Sequence, residues 1–126
     1  MRIQEYARYH AMEDNYWWFV GMRDIFRRRL KAIYRNKADL NILDAGCGTG
    51  AVTEDLAQFG KVVGLDIEST ALGFCRQRGI QKVVLGDARV PPFGIGTFDL
   101  LSAFNIIEHI EDDVGFIKEA SRLCKD

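Results

Sequence analysis

The sequence is poor in the residues that build metal sites and disulfide scaffolds. Its 126 residues include three cysteines and two histidines. Neither the cysteines (Cys47, Cys75 and Cys124) nor the histidines (His10 and His109) have the close spacing of zinc ligands. An odd number of cysteines without a Cys-x-x-Cys pair is typical of free thiols in a reducing compartment. We therefore expect no metal site and a cytoplasmic protein.

Long apolar runs and an excess of charge of one sign are also missing. No stretch approaches the roughly 20 apolar residues of a membrane span, and the longest apolar cluster near the start, residues 16–20, is too short for a signal peptide. The 17 basic and 18 acidic side chains leave a net charge of −1, which argues against a protein that mainly neutralises phosphates. The basic run at residues 27–29 shares its helix with an apolar face, so we expect it in solvent. We predict a protein that binds neither nucleic acid nor a membrane.

The spacing of the apolar residues changes near residue 40. Residues 1–39 predict a helical segment. Its first helix covers residues 3–14, Gly21 separates the two helices, and the second shows helical spacing at Met22, Phe26, Leu30 and Ile33. After residue 40, short apolar runs alternate with helical patterns.

The second part, residues 40–126, predicts a parallel sheet. We expect strands at Leu40–Ala45 and at residues 61–66, 82–85 and 98–104. We expect helices at residues 52–59, at 69–79 and from 112 or 113 onward, the last with a buried face of Ile117, Ala120 and Cys124. Strands that are apolar throughout are typical of burial on both faces, and strand–helix alternation is typical of parallel pairing. The fold is predicted to be α/β: a doubly wound, mostly parallel, Rossmann-like sheet with helices on both faces.

The strongest motif is the glycine loop that follows the first predicted strand. Gly46, Gly48 and Gly50 alternate directly after the strand, and a helix is predicted behind them. Glycine lets the backbone turn sharply and lets a ligand approach the main chain without a Cβ in the way. The free N–H groups at the start of a helix suit a carboxylate or a phosphate. The loop therefore predicts a ligand site of the nucleotide-binding type.

Two nucleotide-binding interpretations of this loop compete, and the first is an NAD site. With Ala51 it fits the Gly-x-Gly-x-x-Ala fingerprint of NAD-binding domains. Asp66 ends the second predicted strand, where a carboxylate can bind ribose hydroxyls of either ligand. The two interpretations differ at Asp44, an acid at the end of the first strand, and at the Asp87-Ala88 pair after the third.

Together these motifs resemble those of class I S-adenosylmethionine-dependent methyltransferases. The resemblance rests on a set that shares strand-end positions: Asp44-x-Gly46-x-Gly48-x-Gly50, Asp66, Asp87-Ala88, Phe98-Asp99 and Asn105-Ile-Ile-Glu108-His109-Ile110. The last segment is similar to that of the small-molecule branch, which includes ubiquinone-biosynthesis enzymes. Residues 16–23 resemble the Trp-Trp-Phe-x-x-x-Arg entry segment of some members, so the resemblance covers residues 16–126. It implies that residues 1–39 form an N-terminal lid or entry segment beside the cofactor-binding domain of residues 40–126.

The resemblance implies an enzyme that uses S-adenosylmethionine, releases S-adenosylhomocysteine and methylates an unidentified small-molecule acceptor. It implies cofactor contacts at the ends of the strands and in the lid: Gly46, Cys47 and Gly48 for the methionine part, Asp44 for orienting the loop, Asp66 for the ribose, Ile67, Asp87 and Ala88 for the adenine, Asn105 with Phe104 near the sulfonium, and Arg23 for the carboxylate. It implies no particular catalytic residue, because methyl transfer depends on alignment, and a base is needed only for a weakly acidic acceptor.

The resemblance also implies a seven-stranded sheet, of which this sequence supplies four strands. We therefore expect a chain truncated after the fourth strand, with slow turnover or none. Two other functions stay open: an S-adenosylmethionine-binding fragment without turnover, and an NAD-binding domain. The fourth strand carries Leu100 and Leu101 without proline or lysine, and its unpaired edge predicts a homodimer through strand pairing.

Overall fold

The computed structural model describes residues 3–35, 39–104, 106 and 110–125. These residues form five helices and four strands, in the order α1 (Ile3–Met12), α2 (Trp17–Ile33), β1 (Leu40–Ala45), α3 (Ala51–Leu56), β2 (Gly60–Asp66), α4 (Ser69–Gln77), β3 (Val83–Leu85), β4 (Leu100–Ser102) and α5 (Asp113–Leu123). The predicted bounds of β1 are confirmed, and the first three predicted strands all start within one residue of their observed positions. None of the helices in the described part of the chain is long and apolar enough to cross a membrane.

The strands form one parallel sheet in the order β3-β2-β1-β4. β1 pairs with β2 in the register Leu40↔Gly60 and with β4 in the register Leu43↔Leu101. Because all strands run in the same direction, their carboxyl ends lie along one edge of the sheet. The strand order reverses at β1, and such a switch point opens a crevice beside the carboxyl ends of the strands.

Helices cover both faces of the sheet, which confirms the predicted fold class. On one face Ile42 packs with Leu30 of α2 and Leu56 of α3. On the other face Leu43 packs with Leu123 of α5. Neighbouring residues of a strand point to opposite faces, and Ile42 and Leu43 are both fully buried. This two-sided burial is the reason why β1 is apolar nearly throughout.

The helical segment before residue 39 shares its core with the sheet. Leu30 of α2 is 5% exposed and lies in one cluster with Leu40 and Phe59. A separate lid over residues 1–39 stays a prediction, and the packing of α2 is that of a helix in the layer beside the sheet.

Gly21 does not separate the two N-terminal helices, and this prediction is wrong. α2 runs through Gly21 without interruption from Trp17, and α1 already ends at Met12, five positions before Trp17. Glycine costs a helix interior about 1 kcal/mol relative to alanine, which the packing of α2 against the sheet outweighs. The chain instead turns after Met12, whose carbonyl accepts from the N–H of Tyr16 at 2.8 Å.

The predicted buried face of the last helix is also wrong. Phe116 and Leu123 are the buried residues of α5, whereas Ile117 is 50% exposed, and Ala120 and Cys124 are half-buried. Two large side chains spaced seven residues apart lie on the same side of a helix. Leu123 joins the core beneath the sheet, and that contact sets the rotation of the helix.

The fourth strand is shorter than predicted. Only Leu100–Ser102 pair continuously with β1, while Phe98 forms an isolated parallel bridge with Cys124. Beyond the strand, the ring of Phe104 packs on Phe26 of α2 at 5.1 Å between centroids. The start of the predicted strand therefore contacts the end of α5 and the residues after it, and its end contacts α2. These contacts replace further strand pairing with β1.

Candidate functional site

The glycine loop lies at the carboxyl end of β1 and leads into α3, as predicted. Gly46, Gly48 and Gly50 have φ values of 73°, 55° and 98°, a left-handed region that side chains other than glycine rarely adopt. The N–H groups of Gly46 and Cys47 both donate to the carbonyl of Leu65, at 2.7 and 3.0 Å. The loop is thus attached to the end of β2 by its backbone.

Gly46 has a further reason to lack a side chain. A Cβ at this position would collide with the side chain of Ile106. Gly46 therefore serves a close approach within the protein, whereas a Cβ on Gly48 would meet nothing within 4 Å. Of the two, Gly48 is the glycine that leaves backbone open to a ligand.

Asp66 lies directly beside this open backbone. Its Oδ2 accepts from the N–H of Gly48 at 2.9 Å, and its Oδ1 accepts from the N–H of Glu68 at 3.0 Å. The carboxylate thus holds the loop at the mouth of the crevice. Its neighbour Ile67 exposes 60% of its surface, so the acid at the end of β2 is followed directly by an exposed apolar side chain.

Asp44 lies beneath the loop and is 2% exposed. Burial raises the pKa of this carboxyl to about 7, and hydrogen bonds from Thr53 and Ser102 oppose the rise. The Thr53 hydroxyl donates to Asp44 Oδ2 at 2.6 Å. Asp44 is thus a buried acid, held by β4 and by the first turn of α3, that changes charge near neutral pH.

Cys47 points its side chain inward. It is 7% exposed, and its Sγ lies 3.8 Å from that of Cys75 in α4. The neighbouring thiol and burial both raise the pKa of Cys47, which keeps it protonated and unsuited to nucleophilic chemistry. Its contribution to the candidate site is the backbone of the loop.

The Asp87-Ala88 pair follows β3 at the same edge of the sheet. Asp87 binds the Arg89 guanidinium at 2.6 Å, and the hydrogen bonds from Arg89 lower the pKa of Asp87. Ala88 packs at the border of the core around Leu65. The N–H of Gly86 donates to the carbonyl of Asp66 at 2.9 Å, so the second and third strand ends are adjacent.

Arg23 has protein partners on most of its donors. Its Nε and Nη2 donate to the two oxygens of Asp55 at 2.7 and 3.0 Å, and its Nη1 donates to Asp14 at 2.8 Å and to the carbonyl of Glu13 at 3.1 Å. These bonds fasten α2 to α3 and to the turn after α1. The contact of Arg23 with a cofactor carboxylate stays a prediction.

Asn105, Glu108 and His109 lie outside the described residues. The predicted contact of Asn105 with the cofactor therefore stays a prediction. Among the described residues, no group of three or more histidine, cysteine, aspartate or glutamate side chains could hold a metal ion.

The structure adds three residues that the sequence analysis did not single out. Thr49 of the loop donates from its hydroxyl to Glu13, and Arg78 donates to Glu13 at 2.6 Å. Thr49 could have been noticed because it stands between two glycines of the motif. Glu13 and Arg78 carry no local signal, because they lie 65 residues apart.

Comparison with known proteins agrees with this geometry. A family model described as a methyltransferase domain matches residues 43–126. The ubiquinone biosynthesis O-methyltransferase of Sodalis glossinidius (strain morsitans) is 28% identical over 138 residues, which cover 96% of this chain and 54% of the relative. The norajmaline N-methyltransferase of Rauvolfia serpentina is 36% identical over 98 residues, or 71% of this chain and 34% of the relative.

Solved structures share the fold. A candidate S-adenosyl-L-methionine-dependent methyltransferase from Methanococcus maripaludis superposes with a TM-score of 0.84 over 98% of this chain and 59% of that one, at 16% identity. A SAM-dependent methyltransferase from Aquifex aeolicus gives 0.69 over 99% of this chain and 68% of that one, also at 16% identity. The chain spans about half the length of the curated relatives whose alignment covers nearly all of it, 54% and 57% for two of them.

Proposed function

This chain belongs to the methyltransferase domain family, and we propose that it binds S-adenosylmethionine at the carboxyl edge of its sheet and transfers the methyl group to a small-molecule acceptor. The observation that carries the proposal is the open backbone of Gly48 beside the carboxylate of Asp66. A ligand can approach a glycine backbone closely. An acid at the end of the second strand is the group that binds ribose hydroxyls in such crevices.

The residues at this edge fit an adenosyl group. A carboxylate offers about four lone-pair positions, so Asp66 can accept from ribose hydroxyls in addition to the two backbone N–H groups that it already binds. Ile67 and Leu85 expose 60% and 59% of their surfaces after β2 and at the end of β3, and such apolar side chains suit the faces of an adenine ring. Asp87 and the Ala88 backbone follow β3 and suit the edge of that ring.

The methionine part fits the glycine loop. The N–H groups of residues 46–48 already donate to Leu65 and Asp66, so the carbonyl groups of the loop are the ones that accept from its ammonium group. The negative charge of Asp44 beneath the loop stabilises the same group. S-adenosylmethionine supplies a methyl group activated by its positively charged sulfur. The contribution of the chain is to align this group with the acceptor and to exclude water.

The proposed acceptor is a small organic molecule with an oxygen or nitrogen nucleophile. The relatives in the comparison are named for methylation of oxygen and of nitrogen, which supports this class and no single compound. We also propose a cytoplasmic location, because Cys47, Cys75 and Cys124 are free thiols, which is typical of a reducing compartment.

Calorimetric titration of the chain with S-adenosylmethionine, S-adenosylhomocysteine and NAD tests the proposal. We expect both sulfur ligands to bind, and tighter binding of NAD would contradict the proposal. NAD is the second candidate because Ala51, at the third small position of the dinucleotide fingerprint, begins α3 and is 5% exposed.

Turnover requires a separate measurement. Incubation with S-adenosylmethionine and a panel of phenols, catechols and amines, followed by mass spectrometry, is expected to show a product that is heavier by one methyl group. Binding without any product would support the alternative of a cofactor-binding chain without turnover.

A further inference from the structure

One buried polar cluster connects the glycine loop to the N-terminal helices. Glu13 follows α1 and is 8% exposed, and Thr49 of the loop is 2% exposed. The Thr49 hydroxyl donates to Glu13 Oε1. Arg78 donates from Nη2 to Glu13 Oε2 at 2.6 Å and from Nε to the Thr49 carbonyl at 3.2 Å. The Glu13–Arg78 pair therefore binds both the hydroxyl and the carbonyl of Thr49.

Stability is a poor explanation for this pair. The side chains of Glu13 and Arg78 are 11% and 6% exposed, so both charges have lost most of their water. The cost of that desolvation offsets much of their attraction, and apolar residues of similar volume are often as stable. An arginine–carboxylate pair instead fixes the geometry of its hydrogen bonds, because the planar guanidinium presents its N–H groups in a rigid fork.

Thr49 lies at the point of the loop where the backbone conformation most needs to be fixed. Its two neighbours, Gly48 and Gly50, have left-handed φ values of 55° and 98°. Glycines on both sides give the backbone access to many conformations. Asp66 holds the loop on one side, through the N–H of Gly48, and the Glu13–Arg78 pair holds it on the other, through Thr49.

We propose that Glu13 is a positioning residue that holds the glycine loop, through Thr49, in the conformation that binds the cofactor. The end of α1 thereby controls a site 36 residues further along the chain. The inference rests on the proposed function, because it concerns the affinity of that same site.

Single substitutions with a matched control test the proposal by calorimetry with S-adenosylhomocysteine. We expect Glu13→Gln and Thr49→Val each to weaken binding about tenfold, the scale of one hydrogen bond to a charged group. Thr49→Ser keeps the hydroxyl and is expected to bind like the unmodified chain. Glu54→Gln is the control, because Glu54 also binds Arg78, at 3.0 Å, but is half exposed, and we expect a change of less than about twofold.

The double variant separates positioning from general destabilisation. If Glu13 acts through Thr49, Glu13→Gln combined with Thr49→Val weakens binding no more than the stronger single variant does. Independent losses that multiply would overturn the proposal. So would unchanged affinity in both single variants, or an equal loss in Glu54→Gln.

A measurement without ligand keeps this inference distinct from the proposed function. In Glu13→Gln we expect faster amide hydrogen exchange at Gly48, Thr49 and Gly50, and unchanged exchange at Leu43 in the core strand. Failure of the unmodified chain to bind either sulfur ligand would refute the proposed function. The exchange result would still show whether Glu13 holds the conformation of the glycine loop. Unchanged exchange in the loop of both Glu13→Gln and Thr49→Val overturns the inference, and if Glu13→Gln does not fold, Thr49→Val carries the test.

Discussion

The Asp66 carboxylate accepts a hydrogen bond from the N–H of Gly48 at 2.9 Å, which joins the end of β2 to the glycine loop after β1. The two residues lie 18 positions apart. The acid that is proposed to bind the ribose therefore also sets the conformation of the loop that is proposed to bind the methionine part. A substitution at Asp66 acts on both.

Asp66→Ala is expected to weaken S-adenosylhomocysteine binding by about 1.5–3 kcal/mol, the scale for hydrogen bonds to a charged group. Calorimetry measures this change. Glu119→Gln is the control, because Glu119 pairs with Arg122 within α5, away from the crevice. Equal affinity in Asp66→Ala and in the control would contradict the proposed ribose contact.

The pKa of Asp44, raised to about 7 by burial, predicts opposite pH effects on folding and on binding. A raised pKa in the folded state stabilises the protein at low pH, and this contribution declines as the pH rises from about 4 to about 7. Cofactor binding is expected to strengthen over the upper part of this range, because the ammonium group of the ligand favours the ionised carboxylate. Asp44→Asn should flatten both profiles, measured by chemical denaturation and calorimetry at about pH 5 and about pH 8. Profiles that match those of the unmodified chain would exclude Asp44 as the titrating group.

Gly46→Ala and Gly21→Ala are expected to change the free energy of unfolding in opposite directions. Gly46 has a φ of 73°, and its new Cβ would collide with Ile106, so the free energy of unfolding should fall by at least the roughly 1–3 kcal/mol of an overpacked site. A Cβ on Gly21 meets nothing within 4 Å in the interior of α2, where alanine should add about 0.5–1 kcal/mol. Urea denaturation measures both, and a loss of stability in Gly21→Ala would speak against a continuous α2.

Leu30→Ala tests whether α2 belongs to the core. Leu30 is 5% exposed beside Leu40 and Ile42, and truncation of such a leucine costs about 2–5 kcal/mol of unfolding free energy. Ile33→Ala is the control on the same helix, because Ile33 is 68% exposed and should change stability by no more than about 0.5 kcal/mol. A loss below 1 kcal/mol in Leu30→Ala, on the order of a surface change, would favour a separate lid.

The outer edge of β4 is proposed to pair with a second copy of the chain. The N–H of Asp99 donates to Asn41 in β1, whereas that of Phe98 donates to Leu123 on the opposite side. Alternation along a strand then directs the N–H groups of Leu100 and Ser102 to the outer edge. We expect light scattering to show a dimer at a protein concentration on the order of tens of micromolar. At this concentration, amide exchange at Leu100 and Ser102 should be slower than in dilute protein. A monomer at all concentrations would reject this contact. Ser102→Lys would not test this contact, because Ser102 is buried beside Asp44 and a lysine there would also disturb the core.

The sequence by itself determined the sheet and the edge that carries the site. The apolar run of Leu40–Ala45, the alternating glycines behind it and the acid at Asp66 are local patterns, and the chain segments that carry them adopt their structure from nearby residues. Parallel strands then bring these segments to one edge, whatever the remaining contacts are.

Only the tertiary structure decided which charges pair and which helix faces are buried. Arg23 binds Asp55 across 32 residues, and Arg78 binds Glu13 across 65; nothing near these residues in sequence distinguishes their partners from the many other acids of the chain. Likewise, Leu123 of α5 lies in one core cluster with Leu43 of β1 and Leu65 of β2, and this packing decides which face of the helix is buried, because the spacing of Phe116 and Leu123 is the same as that of Ile117 and Cys124. Long-range ion pairs and close packing depend on the positions of several elements at once, so they are settled only when the sheet and its helices have come together.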